Sequence, residues 1–150
     1  MQNMKYLVLI LALFFFTTAF AAALDAGEEA APFVNPDHTG EFVFSKNYIG
    51  TGWVLLDFFA TWCAPCKEEL PELEVLYEEF REKGLAAFVF ATDEGGEEVV
   101  DPFFEQNPVS IPVLIDKYMV TADRYGVESI PVVFLIDPQG TIVVRGDGYS

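Results

Sequence analysis

Residues 53–66 read Trp53-Val54-Leu55-Leu56-Asp57-Phe58-Phe59-Ala60-Thr61-Trp62-Cys63-Ala64-Pro65-Cys66, and the organisation of the chain follows from them. Trp53 to Ala60 is a near-continuous apolar run, the pattern of a strand buried on both faces of a parallel sheet. Only Asp57 interrupts it, and an acid in such a strand is costly unless neutral or paired. After the two cysteines the period changes. Leu70, Leu73, Leu76, Tyr77 and Phe80 recur at three- and four-residue steps, which predicts a helix running to Lys83. Pro65 suits the first helical turn, where its missing N–H costs nothing, and Gly84 is placed to end the helix. Pro71 lies inside and is expected to kink it.

Beyond this unit, Leu85 to Ala91 reads as a second strand and Glu94 to Glu98 as a Gly-rich acidic turn. Val99 to Gln106 reads as a short helix or irregular piece, Ile111 to Ile115 as a short strand, and Tyr118 to Tyr125 as a short helix. Pro131 to Ile136 and Thr141 to Arg145 flank Asp137-Pro138-Gln139-Gly140, the signature of a β-hairpin. The order predicts an α/β fold, a central mixed sheet with helices on both faces. Asp25 to Pro36 is rich in Ala, Glu, Asp and Pro without a period. Residues 24–40 are therefore expected to be a linker, and 41–150 the domain.

Composition narrows the chemistry. With 8 Lys+Arg against 24 Asp+Glu, the formal charge of the 150-residue chain is −16. That argues against nucleic acid, whose phosphates need a cationic face. Hydrophobic residues at 52% and aromatics at 15% exclude a disordered acidic tail. Two cysteines and one histidine cannot supply a four-ligand Cys/His zinc site. At the N-terminus, Lys5 precedes the apolar run Tyr6 to Phe16, and Ala21-Ala22-Ala23 follows as a cleavage box. Residues 1–23 thus read as a secretory signal. The alternative is a retained anchor, because Tyr6 to Leu24 approaches the ~20 residues that cross a bilayer. Both readings export the domain, the second leaving it membrane-bound. Without Lys5, residues 24–150 hold 7 cationic and 24 anionic side chains, a formal charge of −17. In an oxidising compartment disulfides persist, and the cysteine pair is to be read there.

A crosslink between Cys63 and Cys66 closes a tiny loop, so its entropic stabilisation is small and a purely structural role explains it poorly. An inert staple or half of a metal site remains the alternative for the isolated pair. At a helix N-terminus the first sulfur feels the positive end of the dipole, which favours thiolate. Cys63 is therefore expected to be the exposed nucleophile and Cys66, one turn inward, the resolving thiol. Glu69 lies a further turn along, on the Cys66 face. His38, in a Pro- and Gly-bordered loop, reads as solvent-exposed.

The run Asp57-Phe58-Phe59-Ala60-Thr61-Trp62-Cys63-Ala64-Pro65-Cys66-Lys67 resembles the active-site segment of thioredoxin-fold proteins. Extended, Trp62-Cys63-x-Pro65-Cys66-x-x-Glu69-x-Pro71 is similar to the pattern of exported TlpA/ResA-like thiol–disulfide oxidoreductases, relatives of the redoxin and AhpC/TSA group. Ser110 to Asp116, and Tyr125 to Gly140 with Ile130-Pro131 at its centre, resemble that family's insert and C-terminal hairpin. The resemblance implies a thioredoxin fold with a cis Ile130–Pro131 peptide facing the cysteines. It implies disulfide exchange by Cys63 and Cys66. Asp57, costly in its strand unless neutral or paired, and Glu69, on the Cys66 face, are expected to handle protons, the alternatives being a buried structural hydrogen bond and a solvated helix acid. Trp62, Ala64, Pro65, Ile130 and Pro131 are the substrate-contacting residues it implies. No metal or organic cofactor is expected, only the redox-active disulfide. The implied partners are protein thiols and disulfides, apocytochrome c among them, and a membrane electron donor. The implied location is the periplasm or the outer face of the cell membrane.

Two departures from that family stand out. Asp57 replaces the Asn common in its members, and the helix that normally closes the fold is missing after the hairpin. The domain is therefore expected to be truncated at its C-terminus, with one sheet face uncovered. Two rival functions fit less well. A thiol peroxidase of the peroxiredoxin group needs Pro-x-x-x-Thr/Ser-x-x-Cys, whereas Thr61 lies two residues before Cys63. A copper-binding thioredoxin-fold chaperone wants a wider cysteine spacing and a His after the hairpin, whereas His38 precedes the site.

Overall fold

The computed structural model describes residues 23–149, so the signal or anchor segment expected at 1–23 lies almost wholly outside the described residues. Strands β1 (Val34–Pro36) and β2 (Phe42–Phe44) form an antiparallel pair. The central sheet uses β3 (Trp53–Phe59), β4 (Leu85–Ala91), β5 (Val113–Ile115), β6 (Val132–Ile136) and β7 (Ile142–Asp147), in the order β5-β4-β3-β6-β7. β3, β4 and β5 are parallel, while β6 and β7 run antiparallel to their neighbours. Helices α1 (Ala64–Phe80), α2 (Glu97–Gln106) and α3 (Val120–Arg124) join them. This is a thioredoxin-like α/β fold, as the sequence predicts.

The central strand β3 is buried along all but its first residue, and its side chains alternate. Val54, Leu56 and Phe58 join Phe88, Phe90 and Phe134 on one face, under α3. Leu55 and Phe59 join Cys66, Leu70, Ala87 and Val89 on the other, under α1, with Phe103 and Phe104 of α2 packed alongside. Asp57 belongs by this alternation to the α1 face, paired across β6 with Val133. α1 continues through Pro71 and ends in a 3₁₀ turn, Arg81–Lys83, which Gly84 closes at φ 98°. Only glycine adopts that left-handed cap at no steric cost.

Three expectations are corrected. The segment 24–40 is not a linker. Gly27 N–H donates to Ile142 O at 2.8 Å, Ala30 N–H to Gly140 O at 2.9 Å, and Ile142 N–H to Glu28 O at 2.9 Å. Phe33 is fully buried, edge-on to Phe88 and Phe90 with ring centroids 5.7 and 5.0 Å away. One aromatic anchors the strap, and its Ala, Glu and Pro neighbours hide that in the composition. Secondly, β5 starts at Val113 rather than Ile111, whose side chain is instead buried beneath α1. Thirdly, α2 starts at Glu97, inside the expected turn, with Gly96 at φ 57° before it. Among the described residues no helix follows β7.

Candidate active site

Cys63 is the N-cap residue of α1. Its backbone is extended (φ −82°, ψ 105°) and its sulfur accepts the Cys66 N–H at 3.3 Å. Cys63 and Cys66 form a disulfide with their Cα atoms 5.3 Å apart. The first turn of α1 carries no acidic residue, so no side-chain charge there offsets the positive end of the dipole at the Cys63 sulfur. Reduced, Cys63 is placed to ionise. Its expected exposure is corrected, however. In the disulfide Cys63 is 4% exposed and Cys66 1%, both within the apolar cluster beneath α1.

An open cleft of about 840 Å³ reaches Thr61 and Trp62, the two residues before Cys63, with Met119, Val127, Glu128 and Ile130 also among its lining. Trp62 stands 72% exposed on its rim. The Ile130–Pro131 peptide is cis, and Ile130 packs against the cluster that holds both sulfurs. Ala64 and Pro65 are exposed at the start of α1, whereas Pro131 is buried. His38 is exposed, as expected from its loop.

The two acids singled out in the sequence approach each other beneath α1. Asp57 is 1% exposed and Glu69 half-buried, and Asp57 Oδ1 and Glu69 Oε2 are buried without hydrogen-bond partners. Desolvation pushes the Asp57 carboxyl well above its ordinary range, and the neighbouring Glu69 charge adds to that. Glu69 is raised as well, first by burial and then by Glu72. The Glu69 charge favours the proton on Asp57, and a carboxyl of raised proton affinity can take a proton and pass it on.

Sequence reasoning missed a third acid. Asp93, just past the end of β4, is 3% exposed and accepts the Thr61 N–H at 3.1 and 3.0 Å through its two oxygens. Its Oδ1 also accepts the Thr61 hydroxyl at 2.5 Å. The preceding Thr92 donates its N–H and its hydroxyl to Phe59 O, at 2.9 and 3.1 Å. A polar pair closing the apolar run 85–91 was the available signal.

Comparison with known proteins agrees with this geometry. The AhpC/TSA family matches residues 26–145. The chain is 37% identical to the thiol-disulfide oxidoreductase ResA of Halalkalibacterium halodurans over 118 residues, 79% of this chain and 66% of that protein. It is 34% identical to ResA of Bacillus subtilis over 142 residues, 91% of this chain and 78% of that protein. Among solved structures, a putative thiol:disulfide interchange protein DsbE from Chlorobium tepidum superposes with a TM-score of 0.79 at 30% identity. That superposition covers 85% of this chain and 89% of the other.

Proposed function

Because this chain belongs to the AhpC/TSA family and is a relative of the ResA thiol–disulfide oxidoreductases, we propose that it exchanges disulfides with protein substrates outside the cytoplasm. The carrying observation is the Cys63–Cys66 disulfide at a helix N-terminus beside an open cleft. In the reductive direction the Cys63 thiolate attacks one sulfur of a substrate disulfide. That S–S bond breaks, a mixed disulfide forms, and the departing substrate sulfur takes up a proton. Cys66 passes its proton to the Asp57/Glu69 pair and attacks the Cys63 sulfur. The second substrate thiol leaves, and the protein holds the disulfide. Two electrons have moved to the substrate, and a membrane donor of two electrons restores the dithiol. No metal or organic cofactor takes part.

The cleft surface supports contact with a peptide, Trp62 and Ile130 gripping it while Ala64, Pro65 and Pro131 shape the approach to Cys63. Apocytochrome c, whose cysteines must be thiols for haem attachment, is the substrate we favour. The leader supports export, with a mature N-terminus at or within two residues of Leu24. The test is reaction of the dithiol protein with an oxidised Cys-x-x-Cys-His peptide. Transfer faster than to a small dialkyl disulfide supports the assignment, and equal rates refute peptide recognition. N-terminal sequencing of exported protein that finds Met1 retained would replace the cleaved signal by an anchor.

A further inference from the structure

Asp93 is an ionisable group in an expensive place. It is almost fully buried, all its carboxylate's hydrogen bonds come from Thr61, and among the described residues no Lys, Arg or His pairs with it. An asparagine would hold the same N–H through its carbonyl oxygen without burying a charge, and burial of an unpaired charge is costly. Holding the loop therefore does not by itself account for a carboxylate here. Its position does. Thr61 is two residues before Cys63, and Cys63 N–H returns to Ala60 O at 3.0 Å, folding the loop tightly. With the carboxylate on the Thr61 N–H and two Cα steps of about 3.8 Å to Cys63, the charge lies within roughly 10 Å of that residue.

We propose that Asp93 is a positioning residue of the exchange reaction, which locks the strand-to-helix loop through Thr61 and sets a fixed negative charge against ionisation of Cys63. The proposal rests on the thiol–disulfide reading above. The helix dipole favours thiolate at Cys63 and the buried carboxylate opposes it. The balance between them decides how stable the dithiol is, because a stabilised thiolate makes the pair more oxidising. Asp93 thus holds the pair on the reducing side. The other titratable groups around the site are Glu94 and Glu128 on the cleft, Asp57 of β3, and Lys67, Glu68 and Glu69 of α1. Lys67 is the one cation among these, and Lys117 packs against Gly96 beyond Asp93. Asp93 is the contributor tied to the loop itself.

A unit charge about 10 Å away at an effective dielectric near 20 is worth about one pKa unit. The experiment follows iodoacetamide alkylation of the reduced protein against pH, in wild type, Asp93→Asn, Asp93→Ser and Asp93→Glu. Both neutral variants should lower the Cys63 thiol pKa by about one unit, and Asp93→Glu should keep the wild-type value. Equilibrium with glutathione gives the second readout: protein disulfide plus two glutathione thiols yields protein dithiol plus glutathione disulfide. Above the thiol pKa the neutral variants should shift this about tenfold toward dithiol, about 30 mV, and below it they should not differ from wild type. A loop made merely loose would not show that pH dependence. The proposal is overturned if either folded neutral variant keeps the wild-type thiol pKa, or if Asp93→Glu moves it as far as they do. Failure of the wild-type protein itself to equilibrate with glutathione would instead refute the exchange function.

Discussion

Replacing Asp57 by Asn removes a buried carboxyl whose Oδ1 has no hydrogen-bond partner, at nearly unchanged shape. Its proton affinity is raised in the fold by burial and then by Glu69, so the folded protein binds a proton that the unfolded chain releases near pH 3.9. This site's contribution to stability is therefore fully present only below that pH. That contribution is lost as the pH climbs from the unfolded value to the folded one. Within that window one proton separates the states, and the loss is about 1.4 kcal/mol per pH unit. Above the folded value the deficit is constant. Asp57→Asn has no such loss. Urea melts of both oxidised proteins, from pH 3.5 to 9, should show equal stability at the acid end. Through the window the variant should gain at that slope, and beyond it the difference should level off. The pH of levelling reads the folded pKa of Asp57 directly. Asp57→Asn/Glu69→Gln should level off no lower in total gain, since both charges that crowd the site are gone. In stopped-flow reaction with a small disulfide, Asp57→Asn should leave the first attack by Cys63 intact and slow resolution by Cys66. A variant less stable than wild type at every pH, with unchanged resolution, would make Asp57 a structural hydrogen-bonding group and end the relay argument.

The two cysteines should differ in trapping. Cys66→Ser should accumulate mixed disulfides with an oxidised protein substrate on non-reducing gels and Cys63→Ser far fewer, whereas equal trapping would reverse or abolish the assigned roles. Reducing the disulfide should cost only about 2 kcal/mol, since the closed loop is so short; a loss above about 4 kcal/mol in urea melts would mean that the bond is a structural staple. Phe33→Ala should destabilise the domain by about 3–5 kcal/mol, because Phe33 is fully buried between two strand aromatics. A change near zero would restore residues 24–40 to the status of a linker.

What could be read from the sequence is what leaves a period. β3, α1 and β4 are long enough for an apolar run or a helical stripe to repeat, and each stands where the pattern puts it. So does Asp57, because a single acid in an apolar strand is visible without a structure. The strap before β2 has no period. It follows the surface of the sheet, bonded edge to edge with Gly140 and Ile142, and such pairing is made by backbone atoms that any residue supplies. Its one anchor, Phe33, is a lone aromatic with no period to mark it. The exposure of Cys63 failed for another reason. Helix position says which sulfur comes first, but burial depends on the apolar cluster that Ile130 and Leu70 contribute from distant parts of the chain.

Asp93 was missed for a third reason, and it bears on how the site is built. Apart from the polar step Thr92-Asp93 that ends the apolar run, nothing separates it in the sequence from the acids that follow, Glu94, Glu97 and Glu98, which are exposed or half-buried. Parallel pairing of β3 with β4 sets Phe59 opposite Ala91, so the residues after each strand end emerge side by side. Thr92 then meets Phe59 and Asp93 meets Thr61, across more than thirty positions of sequence. The register of one strand pair thus delivers a carboxylate to the loop before Cys63, while alternation along β3 delivers Asp57 beneath α1. The sheet sets one acid beneath α1 and the other against Thr61 by backbone geometry alone.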